Sequence, residues 1–111
     1  VTKDHSYVQE LVDSGEITEE ESREHPKKNV ITRAVGIMSS VEPDMMRLTL
    51  DPDESLLLCC DGVIAHLDDD DIHKIINNSD DPTNACQKII DLANERGGSD
   101  NISLILLSSD N

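Results

Sequence analysis

"LLLCCDGVIAHLDDDDIH", residues 56–73, runs from a solid apolar stretch into a solid acidic one, and the reading of its middle decides the rest. An apolar run of this length bounded by a turn signal reads as a strand buried on both faces. Asp61 and Gly62 then stand at the tip of that strand, where a lone acid beside a glycine has no packing reason to be. The four aspartates that follow, Asp68 to Asp71, have a simpler explanation. They introduce Ile72, Ile75 and Ile76 at helical spacing, and acids at a helix N-terminus complement its dipole. They lack the alternating acid spacing, central glycine and distal glutamate of an EF-hand loop, so no calcium site is expected there.

Working outward, Met46, Leu48 and Leu50 alternate with polar residues, and Asp51 to Glu54 carry turn chemistry. A hairpin over "MMRLTLDPDESLLLCC", residues 45–60, is therefore predicted. On the other side, Asp81 is the expected N-cap of a helix opening at Pro82, with Ala85, Cys86, Ile89, Ile90 and Ala93 on one face and a stop at Gly97-Gly98. "NISLILLSS", residues 101–109, reads as a closing strand. The first third holds two short helices. Val8, Leu11 and Val12 mark one, stopped by Gly15, and Thr18 with Glu21 forms a capping box for the other, which Pro26 ends. Residues 30–44 read as an extended piece and a loop. No repeat or linker divides the chain, so one α+β unit over residues 1–111 is the economical expectation.

Composition narrows the class of function. The 111 residues include one tyrosine, no phenylalanine and no tryptophan, so the core must be aliphatic and modest. A net charge of -15 and a pI near 4.3 repel phosphate backbones and anionic lipid, which leaves nucleic acid and membrane surfaces as poor partners and divalent cations as better ones. No apolar run reaches membrane-spanning length, and no signal peptide is evident. The chain opens on Val1, so a processed protein or a fragment is expected. Of the three cysteines two are adjacent, which makes a poor disulfide framework; Cys59 and Cys60 are expected as reduced core residues of a cytoplasmic protein.

Two aspartates occupy strand ends. Asp61 follows "LLLCC" and Asp100 precedes "ISLILL". In antiparallel neighbours the end of one strand lies beside the start of the other, so both carboxylates would reach the same sheet edge. Their hard oxygens suit Mg²⁺ or Mn²⁺ rather than zinc. Taken singly, each aspartate reads more simply as a turn or cap residue.

The local sequences around them change that balance. "LLLCCDGV" followed by a helix, and then "LANERGGSDNISLILL", resemble the closing motifs of the metal-dependent protein phosphatases, the protein phosphatase 2C or PPM family, in its bacterial type. The opening residues 2–6, Thr-Lys-Asp-His-Ser, and residues 29–36, Asn-Val-Ile-Thr-Arg-Ala-Val-Gly, resemble the family's flap-proximal stretch and the strand after it. The resemblance implies part of an α-β-β-α sandwich with antiparallel sheets, with flap-like helices over residues 1–28 and the sheet and helix layer over residues 29–111. It implies a hydrolase, a protein serine/threonine phosphatase, in which a hydroxide bridging two Mn²⁺ or Mg²⁺ ions attacks the phosphorus of phosphoserine or phosphothreonine. Asp61 and Asp100 match the family's two C-terminal metal-binding aspartates, with no other catalytic or cofactor-binding residue assigned, and Asn101 matches a following asparagine of structural role. Implied partners are phosphoserine and phosphothreonine proteins and a cognate serine/threonine kinase.

The chain also departs from the family. The half that brings a phosphate-binding arginine, the bridging aspartate and an Asp-Gly-His or Asp-Gly-Met motif is not in it, and neither is a Gly-Asp-Ser-Arg-like segment. Cys60 stands where the family usually has serine, and Val63 where leucine is common; neither change removes a ligand. The expectation is the C-terminal half of a phosphatase domain, inactive alone. The rival from another class is a non-catalytic acidic module that binds a protein partner through the sheet surface left by the missing half. His5 is expected to cap or to lie at the surface, His25, His66 and His73 share no ligand spacing, and Arg33 is expected to be structural.

Overall fold

The computed structural model describes residues 1–98 and 100–109, and the chain forms two compact units, Val1–Met46 and Arg47–Asn111. In the first unit α1 (Tyr7–Asp13) starts at Ser6, whose hydroxyl accepts the Gln9 N–H at 3.2 Å. α2 (Glu19–Glu24) starts on the expected capping box: Glu21 N–H donates to Thr18 Oγ1 at 3.1 Å and Thr18 N–H to Glu21 Oε1 at 3.2 Å. Reciprocal bonds of this kind satisfy two N–H groups that the helix itself leaves without partners. Residues 30–44 carry only isolated bridges, Ser6 with Ile31 and Val35 with Met38.

The second unit holds the sheet. β1 (Ser55–Cys59) is followed directly by α3 (Asp61–Ile64), then α4 (Asp69–Asn77), α5 (Pro82–Glu95) and β2 (Leu104–Ser108). The two strands pair antiparallel, from Ser55 opposite Ser108 to Cys59 opposite Leu104. Side chains alternate across a strand, so Leu56, Leu58, Ile105 and Leu107 share one face and Leu57, Leu104 and Leu106 the other. The helices cover only the second face. Val63, Leu67, Ile89 and Ala93 form the buried cluster, with Ile72, Ile75, Ile76, Leu92, Ile102 and Leu104 packed around it.

The helices follow the local chemistry read from the sequence. Asp68 Oδ1 accepts the Asp71 N–H at 2.8 Å, and Asp71 Oδ2 accepts the Asp68 N–H at 3.2 Å. The acidic run is thus a capping box, the ordinary start of α4. Asp81 caps α5 by accepting the Asn84 N–H at 2.7 Å, and Pro82 occupies the first turn, where its missing N–H costs nothing. Past the end of α5, Gly98 takes φ +56°, a left-handed conformation that side chains with a Cβ disfavour, and donates back to the Ala93 carbonyl at 3.2 Å.

Three expectations are corrected. The hairpin forms its turn, with Glu54 N–H donating to Asp51 O at 2.9 Å, but residues 46–50 form no strand; β1 pairs with β2 instead. An alternating pattern needs an apolar layer beneath it to hold a strand, and Met46 and Leu48 are about half exposed, at 53% and 50%. β1 is not buried on both faces, because among the described residues the helices of this unit pack on one face and Leu58 lies exposed on the other. Cys59 is exposed and Cys60 half-buried, so neither is a core residue, although both are free thiols.

Two predictions follow from this packing. Ile89 is fully buried at the centre of a small cluster, so Ile89→Ala should cost about 2–5 kcal/mol. That is a large share of a typical domain's stability, and urea unfolding followed by circular dichroism should show the transition lost or shifted to much lower denaturant. Arg96 reaches the Asp71 carboxylate at 2.6 Å and holds it below the ordinary aspartate value of 3.8. A carboxyl depressed in the folded state stabilises above its unfolded pKa, and the contribution is lost as pH falls through the folded value. Asp71→Asn should therefore lower the melting temperature at neutral pH, and the difference from wild type should shrink as pH falls below 3.8.

Candidate metal-binding edge

β1 delivers Cys60 and Asp61 to one end of the sheet, and the start of β2 brings residues 100–103 to the same end, because the strands run antiparallel with Cys59 opposite Leu104. Pairing continues one residue past the strands: the Cys60 N–H donates to the Ser103 carbonyl at 3.2 Å. Asp61 is the first residue of α3 and Asp100 opens the lead-in to β2. Both are exposed at this edge, whereas Gly62 and Val63 beside Asp61 are buried. The Asp100 carboxylate is steadied locally, with Oδ1 accepting the Asn101 N–H at 2.7 Å.

Gly62 permits this closeness. A Cβ there would drive into the Asn101 carbonyl oxygen, and would sit 3.3 Å from its carbon and 3.4 Å from Ile102 Cγ1. Cys60 was assigned no site role from sequence, yet its side chain adds a second tie. Sγ donates to the Asn101 carbonyl at 3.3 Å and accepts the Ser103 N–H at 3.2 Å. The Ser103 contacts hold the Cys60 thiol below its ordinary pKa, whereas burial raises that of Cys59. A serine or cysteine at a strand tip beside an acid is the only sequence signal for this tie, and it gives no hint of the partner 41 residues away.

Two other acids are engaged in ion pairs. The ion pairs among the described residues involve Asp71 with Arg96, and Asp44 with Arg33 at 2.9 Å and His5 at 2.7 Å. Within the first unit His5 thus meets an acid far away in sequence, and Arg33 also donates to the Glu42 carbonyl at 3.2 Å. The pairing holds the Asp44 carboxyl below its ordinary value, chiefly through Arg33. Among the described residues no group of three or more histidine, cysteine or acidic side chains converges on one point. The candidate donors at the edge are the carboxylates of Asp61 and Asp100. Their hard oxygens fit Mg²⁺ or Mn²⁺ in kind, but two ligands are fewer than such ions take.

This arrangement of a helix layer on an antiparallel sheet has a known counterpart. The chain belongs to the protein phosphatase 2C family, whose sequence profile matches residues 22–102. It is 42% identical over 110 residues to a protein phosphatase 2C-type protein of Streptococcus pyogenes serotype M6, covering 99% of this chain and 45% of that protein. It is 34% identical over 110 residues to the serine/threonine phosphatase stp of Listeria monocytogenes, covering 99% of this chain and 44% of the other. The solved serine/threonine phosphatase of S. agalactiae superposes with a TM-score of 0.94 at 39% identity, over 99% of this chain and 46% of that one. The mixed helix and strand fold with its small antiparallel sheet is that of part of a PPM phosphatase. The chain spans less than half the length of these relatives. No helix among the described residues is long and apolar enough to cross a membrane.

The close approach at Gly62 can be tested directly. Gly62→Ala should destabilise the second unit by about 1–3 kcal/mol, since the obstacle is backbone that cannot swing away. Gly97→Ala is the control: its Cβ would meet the His66 ring, a side chain that can rotate, and the loss should be smaller. Urea midpoints of the two variants give the comparison.

Proposed function

We propose that the chain is the closing part of the catalytic domain of a metal-dependent protein serine/threonine phosphatase, acting on phosphoserine and phosphothreonine proteins. The observation that carries this reading is the pair of acids, Asp61 and Asp100, at the facing ends of β1 and β2, within a chain of the protein phosphatase 2C family. Asp61 and Asp100 are its metal ligands, and Mn²⁺ or Mg²⁺ is the ion that their hard oxygens favour. The chemistry such ions supply when bound is a water acidified for attack and neutralised phosphate oxygens. The chain's own contribution is to hold the two carboxylates. Asp61 rides on the rigid tip of β1, and Asp100 is oriented by its bond from the Asn101 N–H. A cytoplasmic setting and a cognate serine/threonine kinase complete the reading.

Two carboxylates without a bridging partner hold a divalent ion weakly, and no group in the chain is assigned to orient a phosphate. The 111-residue chain is therefore inactive by itself. The relatives named above are more than twice its length, which supports a site completed by residues outside this sequence. A second reading, a non-catalytic acidic module that binds a protein partner, is favoured by one observation. The open face of the sheet exposes Leu58, Ile105 and Leu107 to between 49% and 61%.

With Mn²⁺ present, the chain should show no turnover of p-nitrophenyl phosphate above the blank. Turnover that disappears on Asp61→Asn or Asp100→Asn would overturn the inactivity. Calorimetry separates the two readings: the phosphatase reading predicts weak Mn²⁺ binding, about millimolar, lost in the double asparagine variant. Binding that is absent, or unchanged by those substitutions, favours the module.

A further inference from the structure

We propose that Cys60 is the positioning residue of the metal-binding edge, its thiol clamping the Asn101–Ser103 backbone so that the segment bearing Asp100 stays against the strand tip bearing Asp61. The proposal deepens the reading above, because its metal-binding consequence rests on Asp61 and Asp100 being ligands. Three hydrogen bonds run from this one residue to that segment. The Cys60 N–H reaches the Ser103 carbonyl at 3.2 Å, Sγ accepts from the Ser103 N–H at 3.2 Å, and Sγ donates to the Asn101 carbonyl at 3.3 Å. The backbone bond belongs to the ladder and any residue could make it. The two side-chain bonds need a group that donates and accepts at once, which a thiol or hydroxyl does and an alkyl group cannot.

The location gives the clamp its effect. Beyond Cys59 and Leu104 the ladder adds only the Cys60–Ser103 backbone bond, and Asp100 lies four residues before Leu104. Residues 101–103 have no regular secondary structure, so the Asp100 carboxylate is only as well placed as that short segment. Gly62 excludes a side chain from one side of the Asn101 carbonyl, and the Cys60 thiol binds the same oxygen. Cys60 itself touches no metal in this account. It acts through Asp100, by limiting where that carboxylate can go relative to Asp61.

The test compares wild type with Cys60→Ser, Cys60→Ala and Cys60→Val in the full 111-residue chain. Two quantities are read by nuclear magnetic resonance: hydrogen exchange at the Ser103 amide without metal, and apparent Mn²⁺ affinity from paramagnetic broadening. Loss of one such hydrogen bond should speed Ser103 exchange about tenfold in the alanine and valine variants and weaken Mn²⁺ binding several-fold, with both restored to near wild type by serine. Unchanged exchange in Cys60→Ala would overturn the clamp. Faster exchange with wild-type Mn²⁺ affinity would overturn the positioning role. So would loss of folded structure in both apolar variants with retention in Cys60→Ser, since that makes the residue structural. Absence of Mn²⁺ binding in wild type would identify failure of the ligand reading itself, and with it the role of positioning a ligand.

Discussion

The antiparallel ladder between β1 and β2 is the constraint on which the rest of the second unit depends. Its register sets Cys59 opposite Leu104, and with that one choice every later position at the edge is determined. A slip of one residue would turn Leu104 and Leu106 away from the helices and bring Ile105 and Leu107 inward, so the buried cluster and the edge are fixed together. The same register brings Cys60 to Ser103 and Gly62 to Asn101, and so sets where the chain carries Asp61 and Asp100.

The packing explains the asymmetry of this sheet. One face lies on α5 and the cluster around Ile89, while the other leaves Leu58, Ile105 and Leu107 open. A hydrophobic cluster of four buried residues contributes modestly, and the Asp68–Asp71 capping box and the Asp71–Arg96 pair supplement it. The acids thus do two kinds of work. Some serve helix starts and ion pairs, as at Asp68, Asp71 and Asp81, whereas Asp61, though it opens α3, and Asp100 stand at the strand ends outside any ion pair among the described residues.

What was legible in the sequence follows from range. The starts of α2, α4 and α5 were readable because a cap and its partner lie three residues apart: Thr18 and Glu21, Asp68 and Asp71, Asp81 and Asn84. The closing strand was readable from its apolar run, and its antiparallel relation to β1, taken only as the condition for a shared edge, is what the register shows. The partner of β1 was misjudged where a local turn, Asp51 to Glu54, pointed to residues 46–50, and the true pairing spans about half the chain. Burial of the two cysteines was overestimated for a related reason: apolar character shows which residues can be buried, while the number of layers present decides which are. The roles of Cys60 and of the His5–Asp44–Arg33 group were invisible because each joins residues remote in sequence.

The central claim is that the acids at the two strand ends, and not the acidic run at the start of α4, form one site for a divalent ion. Adding sub-stoichiometric Mn²⁺ to the isotope-labelled chain and recording amide signals tests this most directly, since paramagnetic broadening falls steeply with distance from the ion. The account predicts that Gly62 and Asn101 broaden together and first, before residues 68–71. Broadening centred on Asp68 to Asp71, or spread evenly over the acidic surface, would contradict it.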